Sequence, residues 1–428
     1  MAENSYESPA AVEELAETNL PLLADRSFWG MVSTQFLGAF NDNLFKQLVL
    51  LLALAGGRDI QGLAMAIFSA PFLLFSGYAG FLAERNSKRS VIVVCKVAEI
   101  FIVLLGMGAF LGWEQTGMAG VLLVLFLMGT HSAFFGPSKY GILPELFSGQ
   151  NLARANGFVL MTTFLAIIFG TAFAGLLKDI VGEKNLWQAS MICLVIAVAG
   201  TFMSLLIRPL VAAKQDLAFT WSALWIPPEI TALFRRDALL LRTLLAYCMF
   251  WLIGGLVQPS VNALGKIQLN ESDTRTSILA ACMGIGIAIG AGITGMLCGR
   301  GTNFYLTRIG AWLIFVALTV LSLPGPANNH LLGYYGSAIV LVCLGFAAGL
   351  FAVPLQVFIQ SRPPKDLKGR TIATMNISTW IAIIFSAAIY QLFVFIIKQM
   401  GWPPAATFAF AAAIILPVAL FFRPRDKE

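Results

Sequence analysis

An apolar run of about 20 residues is long enough to cross the hydrocarbon core of a bilayer as a helix, and this chain reads as twelve such runs joined by short polar stretches. They lie near 28–55, 61–83, 90–112, 118–137, 152–178, 187–208, 238–262, 274–298, 303–323, 334–360, 371–397 and 404–422. Inside hydrocarbon every backbone N–H and C=O needs a partner within its own segment, which leaves helices as the structure for separate runs of this length. The expected class is therefore an all-α polytopic membrane protein with twelve transmembrane helices. Charged residues make up 12% of the 428, against about 25% in soluble domains.

The net charge of +6 comes from short loops between apolar runs, so it is not a nucleic-acid signal. Lys and Arg are biased to one set of connections, and the bias sets orientation. With the start of the chain inside, the inner connections hold Arg85, Lys88, Arg89, Lys139, Arg208, Arg235, Arg236, Arg300, Arg362 and Arg370, while Arg58, Lys184 and Lys266 fall outside. Both termini are expected in the cytoplasm. Residues 1–27 read as an acidic tail, because Glu3, Glu7, Glu13 and Glu14 are the wrong start for the basic region of a cleavable signal peptide. The connection 209–237 divides six runs (28–208) from six (238–422), and 423–428 forms a second tail. Within the linker Trp221 and Trp225 suggest an interfacial helix, and Pro227–Pro228 should break any helix there. The six cysteines fall within or at the edge of apolar runs with no CxxC spacing, which suits packing rather than disulfides or metal.

The halves repeat weakly. "GFLAER" at 80–85 returns as "GMLCGR" at 295–300, Pro137 pairs with Pro354 and Arg154 with Arg370, all at offsets of 215 to 217. Two parallel, pseudo-symmetric six-helix halves are the plan of the major facilitator fold, with substrate held between them near mid-depth. The turn "GFLAERNSKR", Gly80 to Arg89, resembles the signature loop of that superfamily, with Glu84 at its acidic position and Ser87 where its second glycine stands. Gly80 would let two helices approach closely. Glu84, Arg85, Lys88 and Arg89, with Lys139 and Arg300 at other inner ends, are the expected gating set, their ion pairs made and broken as the halves rock.

Enzyme chemistry has no foothold in the sequence. His131 and His330 do not open an HxxxxD acyltransferase box, since Gly136 and Tyr335 stand where the acid would be. There is no GxxxxGK[ST] loop, no HExxH and no GxSxG. No cofactor is expected, and the protein reads as a non-enzyme.

The chemistry lies instead in charges placed within the runs, where one ionised side chain costs about 2.5–3.5 kcal/mol on insertion scales. "FNDNLFK", Phe40 to Lys46, is the strongest case. Gln35, Asp42 and Lys46 share one helical face, and Asp42 lies about 21 Å along its run, near mid-depth. Asp42 and Lys46 are four apart with the acid first, a spacing that pairs on a helix surface. A hydrophobic pair would be cheaper to bury than an ionic one, so these two point to substrate binding. Asn43 flanks them. Lys96 and Glu99 share a face of the third run, where Lys96 has the reach to snorkel. Gln258 follows Asp42 by 216, the repeat offset, which places the two across a central cavity; His131, Gln356 and Gln360 add polar lining. These residues suit either a zwitterionic headgroup or a proton-coupled carrier of a small polar or drug-like solute, with Asp42 or Glu99 as the proton site.

Four stretches then carry a closer resemblance: "QFLGAFNDNLFKQ" (35–47), "FFGPSKYGILPEL" (134–146), "LARANG" (152–157) and "GLFAVPLQVFIQ" (349–360). They resemble the bacterial lysophospholipid transporter family over nearly the whole chain, most specifically at "KYGILPEL". The nearest branch is one often fused to an acyltransferase and an acyl carrier protein synthetase. The resemblance implies alternating-access movement of lysophospholipids such as lysophosphatidylethanolamine from the outer to the inner leaflet. An acyltransferase, here a separate polypeptide, would then re-esterify them. It also implies headgroup contacts for Asp42, Asn43 and Lys96. Gln258 stands where stand-alone members carry an arginine, so Lys46 or Lys96 would substitute in phosphate binding. Membrane lipids and the lysolipid are the expected partners of a monomer.

Overall fold

A computed structural model describes residues 21–55, 59–147, 149–211, 228–298, 303–326, 329–364 and 367–424. Arg300, residues 1–20 of the acidic tail, Trp221, Trp225 and Pro227 lie outside the described residues. Among those described, the long helices are α1 (Arg26–Ala55), α2 (Gln61–Arg85), α3 (Lys88–Leu111), α4 (Trp113–Gly141), α5 (Gly149–Val181), α6 (Leu186–Leu205), α7 (Ala238–Ala263), α8 (Asp273–Cys298), α9 (Phe304–Leu321), α10 (Gly333–Ser361), α11 (Lys368–Met400) and α12 (Ala406–Phe421). Eleven are long and apolar enough to span a membrane, and α12, with 16 residues, is a shorter apolar helix. A π-helical turn, Leu264–Gln268, prolongs α7. The end of the bundle at which α1 begins is called the near end below, and the end at which it finishes the far end.

Local signals start and stop these helices. The Asp25 carboxylate accepts the Ser27 N–H at 2.7 Å ahead of α1, and Asp237 accepts the Leu240 N–H at 3.0 Å ahead of α7. Such caps satisfy donors that have no partner in the first turn. Each cap is also held by an arginine: Asp25 by Arg208 at 3.2 Å and Asp237 by Arg362 at 2.9 Å. α11 stops at Gly401, whose φ of 64° gives the left-handed cap that glycine adopts without strain. Pro228 opens the short helix Pro228–Arg236; at a first turn the missing N–H costs no hydrogen bond.

The contacts repeat at a shift of six helices. α1 packs on α5 and α6 as α7 packs on α11 and α12; α2 on α4 as α8 on α10; α3 on α4 and α6 as α9 on α10 and α12. Across the middle, α2 meets α11 and α5 meets α8. One buried cluster runs from Leu240 to Ala419, and a second from Leu44 to Cys193 with Ala387 of α11. Pro137 and Pro354, paired by the sequence repeat, both lie inside their helices, in α4 and α10. Between α8 and α10 a Cβ at Gly286 would strike the Val342 carbonyl, and one at Gly345 the Met283 carbonyl. Backbone contact of this kind replaces a hydrophobic driving force that lipid does not supply.

Candidate functional site

A cavity of about 480 Å³ lies between the halves, within the size range of small-molecule pockets. Its two walls differ in chemistry. From the first half come Gln35, Asp42, Asn43 and Lys46 on α1, Lys96 and Glu99 on α3, His131, Ser132 and Lys139 on α4, and Thr163 on α5, set among apolar side chains such as Phe68, Phe72, Phe135, Phe164 and Ile167. From the second half come Phe250, Trp251, Ile253 and Val257 on α7, Met283 and Ile287 on α8, Ile314 on α9, Leu344 and Ala348 on α10 and Ile383 on α11. Gln258 is the polar exception on that wall.

The first-half wall is a connected network. Lys96 and Glu99 form an ion pair with 1% and 0% of their side chains exposed. Glu99 also accepts from Asn41 Nδ2 at 2.7 Å, and His131 Nε2 lies 3.4 Å from its other oxygen. Lys96 therefore turns inward instead of snorkelling. Bare glycine makes the room: a Cβ at Gly200 of α6 would collide with the Lys96 amine. Asp42 accepts a hydrogen bond from the Ser132 hydroxyl, and His131 Nε2 stands 3.9 Å from its Oδ1. The surface pair expected between Asp42 and Lys46 is replaced: Lys46 donates to Asn43 Oδ1 at 2.9 Å and lies over the Phe68 ring, 5.5 Å from its centre. α4 brings Asp42 a closer hydroxyl partner than its own helix does.

Gln35 is buried and exchanges hydrogen bonds with α5, accepting from Thr163 at 2.8 Å and donating to Thr162. Lys139, expected among the gates, donates to Thr163 Oγ1 at 3.0 Å from within the cavity wall. Gln258 faces the same cavity as Asp42 and reaches Gln47 of α1 at 3.5 Å. Gln356 and Gln360 are half-buried nearer the end of α10, which lines the cavity at Leu344 and Ala348 instead.

The near-end loop departs from its expected role. A Cβ at Gly80 would meet open space, so no helix approach depends on it. Lys88 pairs with Glu145 of the short helix Leu143–Leu146. Arg89 donates to the carbonyls of Ile207 and Leu205, past the end of α6 and at it. Arg85 lies over the Phe81 ring at 5.8 Å, and Glu84 is exposed. The Lys88 and Arg89 contacts tie one half to itself.

Hydrogen bonds that do join the halves gather at the far end. Tyr390 of α11 donates to Asp59 Oδ2 at 2.6 Å, and Gln391 donates to the Asp59 carbonyl at 2.8 Å. Asn262 bridges two residues of the first half: it accepts from Gln47 at 2.9 Å and donates to Gln61 at 2.9 Å. Opposite, Lys178 of α5 pairs with Asp273 of α8 at 2.9 Å, and Asp179 accepts the N–H groups of Asp273 and Thr274 at 3.1 and 2.7 Å. Asp59 and Tyr390 carried no motif in the sequence. Gln47 and Asn262 carried one unread signal, since they differ by 215, the repeat offset, as residues meeting on a pseudo-twofold axis would.

The family model described as the Major Facilitator Superfamily matches residues 28–387. Proteins named lysophospholipid transporter LplT from Yersinia pestis and Yersinia pseudotuberculosis are 28% identical over 400 residues, covering 90% of this chain and 90% of theirs. Among solved structures, a POT family transporter in complex with a thioalcohol-conjugated peptide superposes with a TM-score of 0.70 at 11% identity, covering 93% of this chain and 95% of that one. The nucleoside transporter NupG gives a TM-score of 0.67 at 13% identity, covering 94% of this chain and 99% of that one. At such identities these likenesses speak for the fold alone.

Proposed function

Because the chain belongs to the Major Facilitator Superfamily, we propose that it is a lysophospholipid transporter working by alternating access. It carries lysolipids from the outer to the inner leaflet of a bacterial inner membrane, where a separate acyltransferase re-esterifies them. The observation that carries this reading is that every charged residue lining the cavity comes from the first half, while the second half lines it with apolar side chains and Gln258. A lysolipid has one polar head and one acyl chain, and each wall matches one of them. The similarity to transporters named for lysophospholipids supports the same class.

In this reading the zwitterionic head sits on the first half. Asp42, whose side chain is 15% exposed, takes a cationic group on its carboxylate, and Lys46 and Lys139, which donate to Asn43 and Thr163 and lie over the Phe68 and Tyr140 rings, take the phosphate. Asn43 and Gln35 shape that wall, while Lys96 and Glu99 brace it from behind. The acyl chain lies against Phe250, Trp251 and Ile287. The Lys and Arg bias supports a cytoplasmic near end and cytoplasmic termini. The far-end seal then closes the outer side, and the cavity reaches Lys139 and Tyr140, one or two residues from the near end of α4. Residues 28–208 and 238–422 act as the two rocking bodies, and one copy of the chain suffices.

Uptake of labelled lysophosphatidylethanolamine into proteoliposomes tests the reading. The wild type takes up the lipid, and Asp42→Asn loses at least about tenfold, the lower bound for one charge-assisted hydrogen bond worth about 1.5–3 kcal/mol. Absence of uptake by the folded wild-type protein refutes the assignment.

A further inference from the structure

His131 stands between two carboxylates, and its tautomer is fixed. Its Nδ1 lies 2.7 Å from the Met128 carbonyl oxygen. A carbonyl only accepts, so Nδ1 carries a hydrogen. Nε2 is then the nitrogen whose proton can come and go. It faces Glu99 Oε2 at 3.4 Å and Asp42 Oδ1 at 3.9 Å. A bare lone pair there would oppose two acceptor-only groups. A protonated Nε2 donates to one and lends its charge to the other.

The two acids are not equivalent. Glu99 stands at the back of the cavity wall with 0% of its side chain exposed and already has Lys96 and Asn41. The Asp42 side chain is 15% exposed, its Oδ1 is buried without a hydrogen-bond partner, and His131 is the cation nearest to it among the described ion pairs. The other charged or polar groups facing this cluster are engaged elsewhere. Lys46 of α1 turns to Asn43, Lys139 of α4 to Thr163 of α5, and Gln258 of α7 to Gln47. On the α6 side, the Cys193 carbonyl accepts from Asn41.

A headgroup ammonium that reaches Asp42 therefore brings a second positive charge beside His131, in a pocket where charges are weakly screened. We infer that His131 holds a proton which an ammonium headgroup displaces, so that binding of such a lysolipid releases one proton. This rests on the lysolipid reading above. The exchange balances: an ammonium N–H comes to donate to the Asp42 carboxylate, the Nε2 proton leaves to water in the cavity, and the Lys96–Glu99 pair is untouched. A lysolipid without an ammonium keeps the His131 proton in place.

Calorimetric titration of the full-length protein in detergent, run in two buffers of different ionisation enthalpy, counts the protons. Lysophosphatidylethanolamine is expected to release about one per molecule bound, and lysophosphatidylglycerol none. The Kd for the ethanolamine lipid should fall by up to about tenfold per pH unit across the range where His131 is charged in the empty protein. Both effects should vanish in His131→Gln while binding persists. The inference is overturned by a heat that is the same in both buffers, by equal release with the two lipids, or by release that survives in His131→Gln. Should that variant fail to fold, the two-lipid comparison on the wild type decides alone. Ethanolamine lipid that binds without releasing a proton refutes this inference and leaves the lysolipid reading intact, whereas lipid that does not bind at all removes both.

Discussion

Tyr390→Phe deletes one oxygen from the far-end seal, and its cost can be worked through. The ring is fully buried, and its hydroxyl has a single proton. Asp59 Oδ2 at 2.6 Å takes that proton in preference to the Pro259 carbonyl at 3.3 Å. A hydrogen bond to an ionised group contributes about 1.5–3 kcal/mol when lost from one side. The bond joins the halves, so this cost falls on the sealed arrangement alone; once they part, both groups meet water. The balance between sealed and parted far ends should move by about 10- to 150-fold toward the parted one. Spin labels at Ile180 on α5 and Tyr335 on α10, both exposed at the far end, would report the change as a longer distance population in a cysteine-free background. Distance distributions equal to those of the wild type, in a variant that purifies normally, would refute the claim that this bond holds the seal.

Three further outcomes follow from particular contacts. Glu99→Gln strands the buried Lys96 charge and should lower unfolding stability in mixed micelles by about 3–5 kcal/mol. Lys96→Met combined with Glu99→Gln should recover most of that loss, and additive losses in the cycle would contradict a direct pair. At the near end, burial raises the Asp237 carboxyl but is outweighed by the Arg362 hydrogen bond and the Leu240 N–H, leaving it below the ordinary carboxylate range. A depressed value gives stability that is full above the unfolded value, about 3.9, and lost as pH falls through the folded one. Acid titration should therefore show a stability loss below about pH 4 that is smaller in Asp237→Asn; identical acid profiles would count against it.

The spans and the two-half plan were readable because lipid forces them on the sequence: long apolar runs, a K/R bias and Pro137 matched to Pro354 at one offset. The costliest residues, Asp42, Lys96 and Glu99, were readable for the same reason. Their partners were not. The i, i+4 rule paired Asp42 with Lys46, but it knows one helix only, and Ser132 and His131 arrive from another. Snorkelling was the natural reading of Lys96 until α6 presented Gly200 and α1 presented Asn41. Gly80 looked like a close-contact glycine, yet it meets open space while glycines such as Gly286, Gly345 and Gly200 are tight, a difference no single-helix pattern distinguishes. Asp59 and Tyr390 meet across 331 positions of sequence, and a pairing at such separation leaves no local trace.

The split cavity has an evolutionary consequence. The two walls come from helices that pack in a repeated order, yet all the charged lining sits on one of them and the other offers apolar surface and Gln258. On the proposed function, the residues that tell one headgroup from another sit on α1, α3 and α4, and those that admit an acyl chain sit on α7 to α11. Selectivity for the head and tolerance for chain length are then separate traits. Either could drift under selection, or be redesigned at the bench, without the other half having to follow.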